Sequence, residues 1–416
     1  MIHLALLFLI YLSFISLGLP DSLLGSAWPS MYAQLGVPPH FAGYISIVIC
    51  GGTVVSSVLS AKLIGRFGTG IVTVVSVSMT AAALLGFSCA SAFVVVCLCA
   101  IPLGLGGGSV DAALNNYVAL HYKAKHMSWL HCFWGVGASV GPLIMASYLT
   151  RGESWTAGSR TIGVLQLCLA VLLFITLPLW RKGASQNGEG SHGRETVENA
   201  PQAPHLSPKL SELLRIAGVK QVVAAFFCYS AIEATTGLWG SSYLALARKT
   251  PPEIAARWIA LYYTGITAGR FVSGFLTMKL SNRGMIRVGQ GVIALGAALL
   301  LSPLERMGIE ERFVILPAFF IIGLGCAPIF PSLLHETPEN FGRRYSQAII
   351  GLQMACAYIG AMVMPPLFGR IASSIQFGVF PYFIGGALVA LVIMTEALNR
   401  KAGGSARRLG SANPSD

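Results

Sequence analysis

A carboxylate and two carboxamides lie inside an apolar run that is long enough to cross a bilayer. The run extends from Ile101 to His121 and contains Asp111, Asn115 and Asn116. In a helix, Asp111 and Asn115 are about one turn apart and share a face, and a charge there costs on the order of 3 kcal/mol in hydrocarbon. Together the three side chains offer donors and acceptors to a polyhydroxylated solute. We expect Asp111 to be a proton site and Asn115 and Asn116 to bind solute, with polar contacts between helices as the alternative.

Two further acidic residues lie in predicted spans. Asp21 is flanked by Gly18, Pro20 and Gly25, residues that bend or thin a membrane helix and admit water or a partner to its backbone. Glu233 lies close to the position in the second half of the chain that Asp21 holds in the first. Because desolvation disfavours a charged carboxyl group, both residues are candidate proton-coupling sites. Hydrogen bonding within a packed bundle is the alternative.

Aromatic and polar side chains in other spans could recognise the solute. Aromatic rings stack on the C–H faces of sugars, so Trp28, Trp134 and Trp239 are candidate walls of a cavity. An interfacial or packing role is the alternative for each tryptophan. Gln353 and Tyr358, in the eleventh predicted span, could bond to hydroxyl groups.

A lone arginine and a histidine complete the set of candidates. Arg270 lies inside the eighth predicted span and needs a counter-charge, and Glu233 is the acid nearest to it in sequence. A structural ion pair and a role in coupling or solute binding are equally open. His131 stands near the cytoplasmic end of the fifth predicted span, where a gate or a packing role is expected rather than a proton relay at mid-bilayer.

The composition is that of a protein that crosses the membrane many times. Of the 416 residues, 54% are hydrophobic and 11% are charged, whereas soluble domains carry about 25% charged residues. The nine cysteines show no CxxC spacing, so we expect neither disulfides nor a bound metal, and no cofactor. The lack of a Walker motif argues against ATP as the energy source. Since no nucleophile or cofactor constellation is evident either, an intramembrane enzyme or receptor is a remote alternative.

Twelve apolar runs predict an all-α membrane protein with twelve transmembrane helices in two six-helix bundles. The first bundle covers residues 1–180, a linker covers 181–215, the second bundle covers 216–398, and a tail covers 399–416. The predicted spans are His3 to Met31, Phe41 to Leu63, Ile71 to Ser91, Phe93 to His121, Ser128 to Thr150, Ser159 to Trp180, Val219 to Ala247, Ile254 to Leu280, Met285 to Pro303, Phe313 to His335, Ser346 to Ile371 and Phe377 to Leu398.

Basic residues concentrate in alternate loops, and this set includes the linker and the tail. The positive-inside rule therefore predicts cytoplasmic termini and a cytoplasmic linker in a plasma or inner membrane. The net charge of +12 reflects this topology, so no nucleic-acid partner is expected.

The two halves of the chain resemble each other. Ser57 to Arg66 aligns with Gly274 to Arg283, with the Lys-Leu pair and the final arginine in register. A weak parallel repeat of six plus six helices predicts two pseudo-symmetric bundles with the substrate near the membrane midplane between them.

Three stretches of sequence carry a resemblance to a known family. They are GLPDSLLGSAWPSMY in the first span, GLGGGSVDAALNNYVALHY in the fourth and LHCFWGVGASVGPL in the fifth. With them the chain resembles the major facilitator superfamily and, within it, the fucose/glucose/galactose permease branch of sugar:proton symporters. In that branch, acidic residues in helices 1 and 4 serve substrate and proton, and Asp21 and Asp111 occupy those places. Two features depart from the branch: AKLIGRFGTG lacks the usual Asp before its Arg, and GVGASVGP is similar to the helix 5 motif of drug:proton antiporters.

The resemblance implies a secondary active transporter of the major facilitator fold. It would import a small neutral sugar or polyol with a proton, by rocking the two bundles around a central site, and it would function as a monomer in the lipid bilayer. Sodium could replace the proton, since carboxylates and free carbonyls bind either ion. The main alternative is a proton-coupled exporter of drugs or amphiphilic solutes.

Overall fold

The computed structural model describes residues 2–122, 124–180, 210–276, 279–302, 310 and 312–410, and within them it contains helices and no β-strand. Residues 181–209 of the predicted linker and 411–416 of the predicted tail lie outside the described residues. In the described chain, eleven helical segments are long and apolar enough to cross a membrane. The predicted eighth span adds one more helix of 25 residues, Pro252–Leu276, which contains Arg270. The structure thus agrees with the predicted all-helical membrane fold.

Up to Ile175, seven α-helices of the described residues form six membrane segments. They are α1 (Ile2–Asp21), α2 (Leu23–Gln34), α3 (Ala42–Phe67), α4 (Thr69–Ser88), α5 (Phe93–His121), α6 (Ala124–Thr150) and α7 (Trp155–Ile175).

The second half repeats this arrangement with more interruptions. Its helices are α8 (Leu210–Leu213), α9 (Val219–Ala247), α10 (Pro252–Leu276), α11 (Asn282–Leu301), α12 (Arg312–Cys326), α13 (Ile329–His335), α14 (Thr337–Phe341), α15 (Arg343–Ser374) and α16 (Phe380–Gly410). The last helix continues through Asn399, where the sequence suggested a tail, because Arg400, Lys401 and Ala402 are good helix formers.

The first membrane segment is broken at its most polar point. α1 ends at Asp21, one residue after Pro20, a turn follows at Ser22, and α2 begins at Leu23. Proline removes a backbone donor and crowds the preceding turn, so Pro20 weakens the helix close to this break. Irregular backbone at membrane depth is tolerated where it lines a cavity. The break therefore places the Asp21 carboxylate at a helix end that faces the interior of the protein.

The contacts between the two halves are most extensive for α6 with α10, α3 with α15 and α2 with α9, and α2 also contacts α10. At one end of the bundle the contact is close. Gly25 of α2 lies on the backbone of Gly237 in α9, and Gly43 of α3 lies on Pro366 of α15. The Ser241 hydroxyl donates to the carbonyl of Ser26 at 3.5 Å. We call this the outer end, because the predicted topology places it opposite the cytoplasm.

Candidate functional site

A cavity of about 450 Å³ lies between the two halves. Helices of both halves line it: α1, α2, α3, α4, α5 and α6 from the first, and α9, α10 and α15 from the second. This volume falls within the range of small-molecule sites. Its charged lining residues are Asp21 and Asp111 from the first half and Glu233 and Arg270 from the second. Three carboxyl groups and one guanidinium therefore face one cavity.

Asp21 is held by a tryptophan of a neighbouring helix. The Nε1–H of Trp134, on α6, donates to the Oδ2 of Asp21 at 2.7 Å. The backbones of the two helices can approach this closely because Gly18 lies against the carbonyl of Trp134, and Gly137 lies against the carbonyl of Ile15. The small residues that flank Asp21 thus bring the indole within reach of the carboxylate.

Arg270 contacts three groups from two helices. Its Nη2 is 3.9 Å from the Oε1 of Glu233, and both side chains are about one quarter exposed (24% and 27%). Its guanidinium carbon lies 4.8 Å from the ring centroid of Trp134, which is a cation–π geometry. Its Nη1 also donates to the carbonyl of His131 at 3.4 Å. The arginine thus has the counter-charge that its position requires, and it also bridges to the opposite half.

Asp111 and Asn115 share one face of α5, as the four-residue spacing predicts. The Nδ2–H of Asn115 donates to the Oδ1 of Asp111 at 2.9 Å. The Oδ1 of Asn115 is buried, and no described side chain or backbone group bonds to it. Neither carboxamide is part of the cavity lining, and Asn116 is exposed, so the expectation that the two bind solute directly does not fit this arrangement. Of the two carboxamides, Asn115 is therefore the one that acts on Asp111.

Two of the three predicted tryptophan walls lie elsewhere. Trp28 is fully buried and donates its N–H to the carbonyl of Pro39. Trp239 is fully buried too, donates to the carbonyl of Pro365 at 2.7 Å and packs against Phe368. In both cases the indole N–H finds an acceptor inside the helix packing, so the ring turns away from the cavity. Only Trp134 lines it.

Gln353 does not lie where the sequence interpretation expected it, at the solute-binding cavity. It is fully buried away from the cavity, where its Nε2 donates to the hydroxyl of Thr337 at 2.8 Å. Tyr358, on the same helix, does line the cavity. The five residues that separate them turn the helix by about 140°, so the two side chains point in different directions.

His131 lines the cavity from near the start of its membrane segment. α6 begins at Ala124 and the apolar segment within it at Trp129, so His131 stands two turns inside the helix and close to the start of that segment. Its ring meets the edge of Phe14 at a centroid distance of 5.9 Å. A gate or packing role near the cytoplasmic end stays a prediction.

Tyr262 and Tyr263 on α10 line the cavity, and the sequence interpretation missed them. The hydroxyl of Tyr262 donates to the backbone carbonyl of Glu233 at 3.0 Å. The hydroxyl of Tyr263 lies over Gly237, beside the contact of that glycine with Gly25. A signal was available, because Tyr263 precedes Arg270 by seven residues and so lies on the same helical face.

Comparison with known proteins agrees with this architecture. The sequence profile of the Major Facilitator Superfamily matches residues 10–365. The chain is 24% identical over 388 residues to "Bypass of stop codon protein 6" of Saccharomyces cerevisiae, covering 88% of this chain and 77% of that protein. It is 22% identical over 381 residues to the "Cis,cis-muconate transport protein" of Acinetobacter baylyi, covering 89% of each.

Similar solved structures include several transporters. A D-xylose-proton symporter superposes with a TM-score of 0.74 at 11% identity, over 95% of this chain and 97% of that one. A variant of the nucleoside transporter NupG superposes with a TM-score of 0.74 at 12% identity, over 94% of this chain and 98% of that one. A variant of the peptide transporter POT superposes with a TM-score of 0.69 at 16% identity, over 95% of this chain and 94% of that one. At these identities the likeness concerns the fold.

Proposed function

Because the chain belongs to the major facilitator superfamily, and is therefore a multi-pass membrane transporter and not an enzyme, we propose that it carries a small neutral polyhydroxylated solute together with a proton. A monosaccharide or a related polyol is the solute class that we infer. One observation carries the proposal: Asp21 and Asp111 from one half and Glu233 from the other face a single cavity of about 450 Å³ between the halves.

The charge of the cavity favours a neutral solute. Three carboxyl groups face it against the one guanidinium of Arg270, so a free anion would meet net repulsion while the carboxyl groups are ionised. The carboxylates and tyrosine hydroxyls that line the cavity are good partners for sugar hydroxyls. The indole of Trp134 offers an apolar face to the C–H groups of a sugar ring.

The same carboxyl groups support coupling to protons. A carboxyl group in a cavity of low dielectric takes up a proton more readily than one in water, and a change in hydration or a bound solute switches it. Asp21 and Asp111, with Glu233 from the other half, are the coupling residues in this proposal. Sodium is the alternative coupling ion, because carboxylates also bind it.

Transport follows from the contribution of both halves to one site. The outer end is closed by the contact between Gly25 and Gly237. Rocking of the two bundles would part this contact and expose the site to the other side of the membrane. We propose that the protein works as a monomer in a plasma or inner membrane, with both termini cytoplasmic.

The glycine motif shared with drug exporters does not decide the direction of transport. Gly137 and Gly141 pack α6 against the carbonyls of Ile15 and Leu19 on α1. This close packing positions Trp134 beside Asp21, and import and export need it equally. The motif therefore gives no preference for export.

The first experiment is uptake into proteoliposomes. A panel of labelled hexoses, 6-deoxyhexoses and polyols is offered under an imposed proton gradient or an imposed sodium gradient. The variant Asp111→Asn removes the ionisable group from the cavity, and Glu153→Gln is the matched control at an exposed loop position. We expect proton-driven accumulation in the wild type and the control, and a loss of at least about tenfold in Asp111→Asn. An absence of flux for every sugar and polyol under both gradients would contradict the proposal.

An organic anion is the second candidate solute. Arg270 faces the cavity, and its contact with Glu233, at 3.9 Å, is loose enough for a carboxylate to compete. A relative is named as a transporter of cis,cis-muconate. This candidate predicts uptake of small mono- and dicarboxylates in the same assay, loss of that uptake in Arg270→Gln and indifference to sugars.

A further inference from the structure

Trp134 touches both halves of the transporter with different parts of one side chain. Its N–H donates to Asp21 in the first half at 2.7 Å. Its ring face lies 4.8 Å from the guanidinium carbon of Arg270 in the second half. The backbone around it is confined, because Gly18 of α1 lies against the Trp134 carbonyl and Gly135 lies against Thr267 of α10. A change at this point therefore involves the side chain and not the helix.

We propose that Trp134 is a positioning residue that links the charge state of Asp21 to the ion pair of Arg270 and Glu233 in the opposite half. The inference rests on the proposed proton coupling and adds a physical connection between the halves. The only chemical change is that the Asp21 carboxylate gains a proton or loses it to water in the cavity.

The connection works through the two contacts of the indole. While Asp21 is ionised, its bond from the indole N–H is charge-assisted and fixes the ring beneath Arg270. When a proton neutralises Asp21, that bond weakens and the ring is less restrained. Arg270 then loses part of its cation–π contact and depends more on Glu233. The balance of contacts across the interface between the halves thus changes with one proton.

Other titratable groups lie near Asp21 and near Arg270, the two residues that Trp134 connects. Asp111 on α5, Cys50 on α3 and Tyr263 on α10 face Asp21. Besides Glu233, Arg270 is close to Asp111, His131, Cys132, Tyr229 and Cys326. The uptake test therefore changes Trp134 alone and leaves all of these groups in place.

The sharpest variant is Trp134→Phe, which keeps an aromatic face for Arg270 and removes the N–H donor to Asp21. The matched control is Trp28→Phe, which removes an indole N–H bond, to Pro39, at a buried site outside the cavity. The measurement is the pH profile of uptake in proteoliposomes at a saturating concentration of the solute identified in the panel.

In Trp134→Phe we expect the pH of half-maximal uptake to rise by about one unit, because Asp21 loses the donor that favours its charged form. In Trp28→Phe the pH of half-maximal uptake stays at the wild-type value. A purely structural role for Trp134 would lower the rate at every pH without moving the profile, and that result overturns the inference.

A second readout needs no solute. Spin labels on Glu153→Cys and Glu310→Cys, exposed positions at the outer end of the two halves, report the opening of that end in a chain whose native cysteines are replaced. We expect the distance distribution to change with pH, with a midpoint that moves in Trp134→Phe and not in Trp28→Phe. A pH-dependent distance with the same midpoint in all chains, or no pH dependence in the wild type, overturns the connection. Failure of the proposed function shows separately, as absent uptake.

Discussion

Gly25 and Gly237 meet backbone to backbone where α2 of the first half crosses α9 of the second. A Cβ on Gly25 would coincide with the carbonyl oxygen of Gly237, and a Cβ on Gly237 would meet the hydroxyl of Tyr263. The closed outer end therefore has no room for a side chain at this crossing. The same crossing forms part of the cavity wall, so closing the outer end and completing the site are one structural event.

Gly25→Ala is expected to hold the outer end open. The added methyl group overpacks only the closed arrangement, at a cost of about 1–3 kcal/mol, which shifts the equilibrium between closed and open forms by roughly tenfold or more. The measurement is the labelling rate of Ser241→Cys by an impermeant maleimide, since this position is fully buried in the closed form. Labelling should accelerate, and uptake should fall.

Gly291→Ala is the control for that prediction. Gly291 is an exposed residue of α11, and a Cβ there would meet no atom within 4 Å. The substitution should leave both labelling and uptake unchanged, and by helix propensity it is expected to stabilise slightly. Equal labelling in Gly25→Ala and Gly291→Ala would show that the glycine contact does not control the outer end.

Asn115→Leu is expected to weaken transport through its effect on Asp111. The substitution removes the amide that donates to the Asp111 carboxylate at 2.9 Å, and a hydrogen bond to a charged group contributes about 1.5–3 kcal/mol. We expect kcat/KM to fall by roughly tenfold or more. Asn116→Leu is the adjacent control, because the Asn116 side chain is exposed and the bond to Asp111 comes from Asn115. Similar losses in both variants would contradict the assignment of Asn115.

The features that sequence reasoning located well are those set by local chemistry and by the cost of charge in lipid. Apolar runs of sufficient length determine the spans, and the four-residue spacing places Asp111 and Asn115 on one face. A lone arginine within a span requires an acid, and the structure brings Arg270 to 3.9 Å from Glu233. Gly18, Pro20 and Gly25, expected to bend or thin the first span, flank the break at Ser22. Each of these inferences depends either on the spacing of residues along one helix or on the counter-charge that a charged side chain needs in lipid.

The features that it misplaced depend on groups from elsewhere in the chain. Trp28 and Trp239 face away from the cavity because the carbonyls of Pro39 and Pro365 accept their N–H groups. The sequence of a single span does not show where such acceptors lie.

The ion pair of Arg270 and Glu233 is expected to be asymmetric in its response to mutation. Glu233→Gln leaves Arg270 with the ring of Trp134 and the carbonyl of His131. Arg270→Met leaves the Glu233 carboxylate without the ion pair in a partly buried site, which costs more. In detergent, the unfolding temperature of Arg270→Met should be lower than that of Glu233→Gln. A double-mutant cycle should give an interaction free energy between the two residues of about 0.5–3 kcal/mol.

Arg287 and Glu396 provide a comparison pair outside the cavity. Their contact is bidentate at 2.7 and 2.8 Å, shorter than that of the cavity pair, and the Arg287 side chain is 60% exposed. Exposed pairs contribute about 0–1 kcal/mol. Arg287→Met should therefore leave uptake unchanged although it breaks the closer contact. A loss of uptake equal to that of Arg270→Met would contradict a special role for the cavity pair.

Gln353→Ala is expected to destabilise the fold without changing solute affinity. The carboxamide is fully buried and exchanges hydrogen bonds with the Thr337 hydroxyl at 2.8 and 3.1 Å, which joins α15 to α14. Its loss leaves a cavity and removes the hydrogen bonds with the Thr337 hydroxyl, which keeps only its bond to the Leu333 carbonyl, at a cost of about 1–3 kcal/mol. The unfolding temperature should fall, whereas KM measured on the remaining folded protein should equal that of the wild type. Tyr358→Phe, on the same helix but facing the cavity, should raise KM at little cost in stability. A raised KM in Gln353→Ala with an unchanged unfolding temperature would instead show that Gln353 binds the solute.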